Sequence, residues 1–286
     1  MAAKPGLLLV GIGMGDIHSM TTSALHAIQN ADFRILEAYT AKWSDDDLML
    51  LKEMVGEFDY ALRPDIENPE KILAQCRENS VAVMVIGDPM QATTHVDLLL
   101  RAEELDIPYK VYHGISITNL ATGISGLSNY RFGRPTTLTY AYGDWVATSP
   151  LEVISVNLQL NLHTLVLFDL DPTGLGTGDM QPMLPVDARK AMYKMSEKWR
   201  EDYVEEIENS DDYSFNFKLH SMNQLPDNLG QLPVVVCTDL GTTNQNLWRG
   251  LLGFIENAPV GNMHCMIVPS YLSEIEEKAL DKWAKE

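Results

Sequence analysis

The apolar positions of this chain come in two kinds, short β-branched runs and longer segments with the spacing of a helix. In the first 112 residues, four short runs predict buried strands, at residues 7–10, 33–36, 81–86 and 109–112. Helix signals lie between them, such as the acidic residues at 45–47 and the glycine at 56. This alternation predicts a parallel-rich sheet covered by helices.

The second part of the chain mixes strands and helices less regularly. Further strands are predicted at residues 136–140, 163–170, 233–237 and 263–268, the first of them as an antiparallel strand. Helices are predicted at residues 151–160, 188–208 and 247–255. The acidic run at 205–212 is interpreted as a solvated helix end or loop. We therefore predict an α/β protein with a parallel-rich first domain, residues 1–112, and a mixed α+β second domain, residues 113–286.

Charge narrows the range of partners. The 286 residues include 40 acidic and 21 basic side chains, which gives a formal net charge of −19. The sequence has no Lys/Arg-rich stripe that would neutralise phosphates, so we expect no nucleic-acid partner. The same charge disfavours an anionic membrane surface. It suits a cytosolic protein, or a partner that presents a basic surface.

Targeting and metal signals are missing from the sequence. No apolar run reaches about 18 residues, the length of a membrane-spanning helix, and the amino terminus lacks a signal-peptide pattern. The three cysteines, Cys76, Cys237 and Cys265, are far apart and form no CxxC pair. We therefore expect a cytoplasmic protein without a metal site and without membrane contact.

The most informative segment follows the predicted strand at 81–86. It reads Gly-Asp-Pro-Met at 87–90 and continues as Gln-Ala-Thr-Thr-His at 91–95. Because ligands of open α/β sheets bind at the carboxyl ends of strands, this loop offers a carboxylate, a rigid proline and backbone donors to a small molecule. One of its two threonines, Thr93 or Thr94, is predicted to cap the next helix. The alternative is an ordinary strand-to-helix turn with Asp88 as a turn former.

A glycine-rich loop, Gly-Ile-Gly-Met-Gly-Asp at 11–16, follows the first predicted strand. It suggests a dinucleotide fingerprint, with Glu37 as the acid that would bind the ribose. However, the third glycine is not at the required position, and the next predicted helix starts several residues later. We therefore prefer a loop whose glycines allow close backbone approach.

Several other catalytic patterns are also missing from the sequence. The seven histidines include no pair spaced for a zinc hydrolase. The chain has no Gly-x-Ser-x-Gly elbow and no GxxxxGK[ST] loop. What remains is a ligand cleft built from loops at strand ends, without a covalent nucleophile.

Seven sequence blocks, spread in order over most of the chain, together resemble the diphthine synthases of the tetrapyrrole-methylase superfamily. They are VGIGMGD at 10–16, LEAYT at 36–40, GDPM at 87–90 with ATTH at 92–95, His113 with SI at 116–117, GL at 126–127 with YRFG at 130–133, LHTL at 162–165 with Asp169, and His264 with IV at 267–268. The Gly-Asp-Pro loop alone is similar to the wider superfamily, whereas GDPxxATTH with LEAYT and YxFG is much more specific. The chain departs from the family at Asp239-Leu240, where Ala-Arg is common, and matches it poorly over residues 174–231.

The resemblance implies a two-domain tetrapyrrole-methylase-like fold, with S-adenosyl-L-methionine bound in the cleft between the domains, and a homodimer. Carried over residue by residue, the cofactor contacts are Met14, Asp88, Gln91, Ser116, Ile117, Phe168, Leu240 and His264. Asp88 would accept a hydrogen bond from a ribose hydroxyl or an amine, and Phe168 and Leu240 would form apolar walls. Without the resemblance, Phe168 and Leu240 would be interpreted as core residues.

The reaction that the resemblance implies is a step of diphthamide biosynthesis. It is the successive N-methylation of the 3-amino-3-carboxypropyl group on a modified histidine of translation elongation factor 2. Methyl transfer of this kind needs no metal and no covalent enzyme intermediate, and it depends on orientation and exclusion of water. The attacking amine must be neutral, so a base would help. Asp16, His95 and His113 are the chemical candidates, and the sequence does not choose among them.

Two alternatives stay open. One is a sibling methylase of the superfamily that acts on a corrinoid ring or on ribosomal RNA, although the net charge conflicts with an RNA substrate. The other is a non-catalytic cofactor-binding homologue, which the departure at Asp239-Leu240 keeps in view.

Overall fold

The chain packs as two compact units. A computed structural model describes residues 4–141, 143, 145–171, 181–207, 217 and 220–283. The first unit comprises Met1–Leu120 with Gly241–Thr243, and the second comprises Ala121–Leu240 with Asn244–Glu286. The domain boundary predicted between residues 112 and 113 stays a prediction.

The first unit is built on one parallel sheet. Its strands are β1 (Gly6–Gly11), β2 (Phe33–Glu37), β3 (Asp59–Ala61), β4 (Ser80–Val85) and β5 (Tyr109–Tyr112). They lie in the order β3-β2-β4-β1-β5, and every neighbouring pair is parallel. The central strand β4 is buried along its whole length. The parallel-rich sheet predicted from the apolar runs is therefore confirmed.

Helices cover both faces of this sheet. They are α1 (Thr22–Gln29), α2 (Asp45–Val55), α3 (Arg63–Glu67), α4 (Glu70–Cys76) and α5 (Val96–Glu104), with a 3-10 helix at Ile17–Ser19. Helices α1 and α2 pack on the face that carries Val10 and Met84, whereas α3, α4 and α5 pack on the face that carries Leu9 and Val83. The chain thus leaves the adjacent strands β1 and β4 toward opposite faces, and a crevice at such a switch point is where open α/β sheets bind ligands.

Local signals explain where the helices begin and end. The Ser44 hydroxyl accepts the backbone N–H of Asp47 at 3.1 Å, which caps α2, and three acidic residues follow in its first turn. Gly56 ends α2 with a φ of +85°, a conformation that glycine adopts without strain. Helix α4 starts at Glu70, directly after Pro69, which suits a helix start because no helical hydrogen bond needs its missing N–H there.

The second unit is built on a mixed sheet. Its strands are β6 (Thr136–Leu138), β7 (Thr164–Phe168), β8 (Pro233–Thr238), β9 (Asn246–Leu251) and β10 (His264–Val268), in the order β6-β7-β10-β8-β9. Helix α6 (Ile117–Ser125) carries the chain from the first unit into the second, and it is followed by α7 (Ser149–Gln159), α8 (Pro185–Ile207) and α9 (Glu274–Asp281). Short 3-10 segments lie at Asn129–Arg131, Leu229–Gln231 and Leu252–Asn257. The predicted mixed character of this part is confirmed.

The hydrophobic core of the second unit lies between its sheet and two of its helices. A buried core joins the sheet to α7 and α8, with Val166, Ile154 and Met192 among its members.

No helix in the described ranges is long and apolar enough to cross a membrane. The acidic run at 205–212, interpreted from sequence as solvated, lies mostly outside the described residues.

The predicted direction of the first strand in this sheet is wrong. β6 pairs in parallel with β7, with Thr136 opposite Val166. Helix α7 stands between the two strands in the chain, and a helical crossover joins parallel neighbours, whereas sequential antiparallel neighbours need only a short hairpin. The Thr and Tyr content indicated a strand but carried no information on its direction.

The helix predicted at residues 247–255 is also wrong. β9 occupies most of this segment and pairs antiparallel with β8, with Trp248 opposite Val236. Gly250 and Gly253 disfavour a helix. A side chain on Gly250 would begin 2.2 Å from the Trp248 ring, so the indole covers the place that a side chain would fill.

A buried carboxylate fastens α9 to the loops of the second unit. Glu276 is 3% exposed, and Arg131 binds its Oε2 at 2.5 Å. The backbone N–H of Ser128 and the N–H and hydroxyl of Ser273 also donate to it. His163 Nδ1 accepts the N–H of Ser270, so Nε2 carries the hydrogen and donates to Glu276 Oε1 at 3.2 Å.

These contacts set the ionisation of the network. Burial alone would raise the pKa of Glu276, but the hydrogen bonds from Ser273, Ser128 and His163 outweigh it and hold the pKa at about 2. Burial lowers the pKa of His163 below its usual value, more than Glu276 raises it. The network therefore holds a charged carboxylate and a neutral imidazole.

We predict that Glu276→Gln lowers the free energy of unfolding by about 3–5 kcal/mol at neutral pH, because it leaves the Arg131 charge without its partner. The control is Glu274→Gln on the same helix, whose exposed pair with Lys278 should contribute less than about 1 kcal/mol. Urea unfolding measures both. Because folding lowers the pKa of Glu276, its contribution is complete above the unfolded pKa and is lost as pH falls from about 4.5 toward 2. Equal effects of the two substitutions would contradict this assignment.

Candidate functional site

The loops that carry the distinctive sequence blocks leave the first unit's sheet at one edge. All five strands are parallel, so their carboxyl ends lie together. The loops after β1, β2, β4 and β5 carry the blocks at 11–16, 36–40, 87–95 and 113–117. These loops surround the switch point between β1 and β4, which makes this edge the candidate site.

Close glycine contacts hold three of these loops together. Gly13 and Gly87 exchange backbone hydrogen bonds, with N···O distances of 3.2 and 2.8 Å. A side chain on Gly114 would begin 2.2 Å from the carbonyl oxygen of Gly87, and one on Gly11 would begin 2.7 Å from the same atom. The close backbone approach expected from the glycine-rich loop is therefore present in the structure.

Asp88 connects the loop after β4 to the loop after β5. The residue is 8% exposed, and its Oδ1 accepts the N–H of Met90 at 2.8 Å. Its Oδ2 accepts the N–H of Gly114 at 3.2 Å and lies 2.9 Å from His113 Nδ1. Asp88 is thus a turn former, as the alternative interpretation of this loop holds, and it also joins two loops.

His95 lies buried behind the same loop. It is 1% exposed, and its Nδ1 lies 3.0 Å from the carbonyl oxygen of Pro89. The Thr93 hydroxyl accepts the N–H of His95, and α5 begins at Val96 without a side-chain cap hydrogen bond. The prediction that Thr93 or Thr94 caps α5 is therefore wrong, because the Thr93 hydroxyl closes a turn within the loop.

The loop after β2 folds back on itself. Glu37 is 1% exposed, and its Oε1 accepts the N–H groups of Tyr39 and Thr40 at 2.7 and 2.8 Å. Its Oε2 accepts the Thr40 hydroxyl. These bonds use both oxygens of the carboxylate that the dinucleotide hypothesis assigned to a ribose.

Tyr39 links this loop to the loop after β4. Burial, with the nearby Glu37 charge, raises the pKa of Tyr39 to about 12, and a hydrogen bond with the Thr94 side chain acts in the opposite direction. The Arg63 guanidinium lies 5.1 Å from the centre of the Tyr39 ring. The phenol of Tyr39 is therefore neutral, and it brings the LEAYT and ATTH blocks into contact.

Other residues predicted to contact the cofactor lie at the same edge. Ser116 is buried, and its Oγ accepts the N–H and the hydroxyl of Thr118 at the start of α6. Ile117 and Met14 are half-buried. The Met14 sulfur lies 3.3 Å from the point where a side chain on Gly87 would begin, so the absence of that side chain makes room for the thioether.

Two other predicted residues of the first unit are less enclosed. Gln91 is exposed, and its N–H donates to the carbonyl of Asp88. Asp16 accepts the N–H groups of His18 and Ser19 at 2.8 and 3.1 Å, which caps the 3-10 helix that follows. One carboxylate oxygen of Asp16 therefore has a structural role.

The predicted residues of the second unit share one edge of its sheet. Phe168 ends β7, His264 begins β10, and Leu240 follows the end of β8. Cys265 pairs with Leu167, so His264 stands next to Phe168 across the strands, and on its other side His264 pairs with Thr238. All three predicted residues are buried, and Phe168 is part of the core as well.

His264 is the polar member of this group. Its Nε2 lies 3.3 Å from the carbonyl oxygen of Pro259, and its buried Nδ1 has no hydrogen-bond partner among the described residues. Burial lowers the pKa of His264, against the opposing effects of Pro259 and Asp239, so the ring is neutral at ordinary pH. A buried nitrogen with a free hydrogen-bonding position is an atom that a ligand can satisfy.

The backbone next to Leu240 has its own structural reason. Asp239 adopts a φ of +47°, and its Oδ1 accepts the N–H groups of Asn262 and Met263 at 2.9 and 2.8 Å. Asp is among the few residues that tolerate this conformation. The departure from the resembled family at Asp239 is thus accommodated by a local turn.

The chemistry available at the first unit's edge is that of a small-molecule site. It offers a buried carboxylate, backbone donors, half-buried apolar side chains and an imidazole, which are groups that can bind a polar molecule and accept a proton. The described residues include no group of three or more His, Cys, Asp or Glu side chains placed to hold a metal ion.

Sequence reasoning missed some of these relations. The contact between Tyr39 and Thr94 was not anticipated, although the joint presence of LEAYT and ATTH was its signal. The blocks at 130–133 and 162–165 supply Arg131 and His163 to the Glu276 network, so their role in the structure is support of the second unit.

Comparisons with known proteins show which family this chain is similar to. The family model of the tetrapyrrole (corrin/porphyrin) methylases matches residues 6–175. A diphthine synthase of Methanospirillum hungatei JF-1 is 39% identical over 166 residues, which cover 57% of this chain and 66% of that protein. A diphthine synthase of Halorubrum lacusprofundi is 37% identical over 181 residues, which cover 62% of this chain and 67% of that protein. The first of these matches spans less than two thirds of the relative's length.

Solved structures match over a longer part of the chain. A crystal structure of diphthine synthase shares 26% identity and a TM-score of 0.75, covering 97% of this chain and 95% of that chain. The structure of a conserved hypothetical protein from Aeropyrum pernix K1 shares 27% identity and a TM-score of 0.80, covering 98% of this chain and 89% of that chain.

Proposed function

We infer the function of this chain from its family, since it belongs to the tetrapyrrole (corrin/porphyrin) methylases. We propose that it is a diphthine synthase. In this reaction, methyl groups pass from S-adenosyl-L-methionine to the amine of the 3-amino-3-carboxypropyl group on a histidine of translation elongation factor 2. The observation that carries the proposal is the position of the GDPxxATTH and LEAYT blocks, which contact each other at the carboxyl edge of a parallel sheet.

The residues at this edge fit the proposed methyl donor. The donor carries an amine, ribose hydroxyls and a positively charged sulfur. The Asp88 carboxylate complements the amine, the hydroxyls and the positive charge, and the half-buried Met14 and Ile117 complement the apolar parts.

The remaining predicted contacts are proposed on the same basis. In the first unit, Gln91 and Ser116 would supply polar contacts. In the second unit, the unpartnered Nδ1 of His264 would receive a hydrogen bond, and Phe168 and Leu240 would supply apolar surface. We also propose a homodimer that acts in the cytoplasm, where its protein substrate works, without metal, nucleic acid or membrane contact.

This chain's own groups would contribute orientation and exclusion of water. When bound, the donor supplies the methyl group, and the electron pair of the breaking C–S bond leaves with the sulfur. The close contacts among the loops at Gly13, Gly87 and Gly114 would fix the backbone around the donor. A fixed geometry between amine and methyl group is the main source of acceleration for such a displacement.

The first prediction concerns donor binding. Asp88→Ala should weaken the binding of S-adenosylhomocysteine by about 1–3 kcal/mol, the cost of leaving a buried polar group of the ligand without its partner. Asp97→Ala, in an exposed ion pair on α5, is the matched control and should leave the dissociation constant unchanged. Isothermal calorimetry measures both, and a chelator should have no effect on the wild type. An unchanged dissociation constant in folded Asp88→Ala would show that the loop is only a turn.

The second prediction concerns the reaction. The chain, incubated with methyl-labelled S-adenosylmethionine and elongation factor 2 bearing the unmethylated intermediate, should label the modified histidine. Elongation factor 2 without the 3-amino-3-carboxypropyl group is the control and should stay unlabelled. Label on a corrinoid or on ribosomal RNA in place of the protein would indicate a sibling methylase, and donor binding without any transfer would indicate a non-catalytic homologue.

A further inference from the structure

The geometry around Asp88 points to a specific proton acceptor. We propose that His113 is the general base that removes the proton from the acceptor amine, with Asp88 as its positioning residue. The inference rests on the proposed function, and it decides among the three candidates that the sequence left open.

The hydrogen bond between His113 and Asp88 determines the tautomer of the ring. An ionised carboxylate can only accept, and His113 Nδ1 lies 2.9 Å from Asp88 Oδ2, so Nδ1 carries the hydrogen. The neutral ring therefore has its lone pair on Nε2. The same division of roles between a carboxylate and an imidazole makes the outer nitrogen a base in hydrolase triads.

The exposure of the two side chains differs sharply. The Asp88 side chain is 7% exposed, whereas that of His113 is 71% exposed. Nε2 has no hydrogen-bond partner among the described residues, so it is available to a substrate group. The His113 ring is thus held in place through Nδ1, while Nε2 stays accessible to a substrate group.

The backbone keeps this pair in place. His113 directly follows β5, and the next residue, Gly114, donates its N–H to the same Asp88 oxygen. A side chain on Gly114 would begin 2.2 Å from the Gly87 carbonyl oxygen, so the backbone of this loop packs directly against the loop after β4. Among the residues that the structure describes, the titratable side chain bonded to His113 is Asp88, from the loop after β4.

The other two candidates are less suited to this role. His95 is 1% exposed, and its Nδ1 is held by the Pro89 carbonyl behind the loop. Asp16 caps a 3-10 helix through Oδ1. A base must come within hydrogen-bond reach of the proton that it removes, which favours the exposed ring.

The proposed step begins with a proton transfer. The acceptor ammonium gives one proton to His113 Nε2, which leaves a neutral amine and an imidazolium that the Asp88 carboxylate stabilises. The amine nitrogen then forms a bond to the methyl carbon while the C–S bond breaks and its electron pair remains on sulfur. The new alkylammonium loses its proton in turn before any further methylation, after His113 has released its own to solvent.

The activity test uses His113→Gln and the control His26→Gln, an exposed histidine on α1. We expect methyl transfer by His113→Gln to fall about 100-fold or more near neutral pH, with S-adenosylhomocysteine affinity within about twofold of the wild type. The deficit should shrink about tenfold per pH unit as the free amine accumulates, and His26→Gln should match the wild type. A wild-type rate and pH profile in His113→Gln, or an equal loss of rate and affinity, would overturn the proposal.

A second readout needs no activity. Nitrogen NMR of the ¹⁵N-histidine-labelled protein should show neutral His113 with its hydrogen on Nδ1 in the wild type and mainly on Nε2 in Asp88→Ala. A hydrogen on Nε2 in the wild type would overturn the proposal even if the enzyme methylates its substrate. Conversely, the expected tautomer in a protein that transfers no methyl group would refute the proposed function and leave the geometry intact.

Discussion

The parallel pairing of β1 with both β4 and β5 is the constraint on which the candidate site depends. Parallel strands place their carboxyl ends together, and the opposite faces taken by α1 and α5 open the edge between β1 and β4. Only glycine allows the loops after these strands to approach as closely as Gly87 and Gly114 do. The Asp88 carboxylate can reach the next loop because this backbone contact brings the two loops together.

The distinctive sequence blocks divide between two physical roles. Those at the carboxyl edge of the first unit surround Asp88 and leave acceptors, donors and an exposed imidazole available. Those at 130–133 and 162–165 satisfy the buried charge of Glu276 in the second unit. Burying a carboxylate is costly unless it is fully hydrogen-bonded. This cost explains why residues from several different loops together supply the partners of Glu276.

Much of the fold and part of the site could be predicted from the sequence, for identifiable reasons. The run at 81–86 is apolar throughout because β4 is central and buried on both faces, and such a run is hard to mistake. β3, three residues long, and the five-residue α3 gave no usable pattern and were not predicted. The helix prediction at 247–255 was wrong because the spacing of its apolar residues fits the repeat of a strand as well as that of a helix. The partner of His113 depends on a side-chain contact between two loops, which no local pattern contains.

Hydrogen exchange with and without S-adenosylhomocysteine tests the central claim most directly, that the carboxyl edge of the first unit binds the methyl donor. The account predicts slower exchange in the loops at 11–16, 87–91 and 113–117 when the ligand is present. It predicts no change at the opposite edge, around residues 79–80 and 107–109, where the strands begin. Unchanged exchange in the three loops at saturating ligand, or protection confined to the opposite edge, would contradict the account.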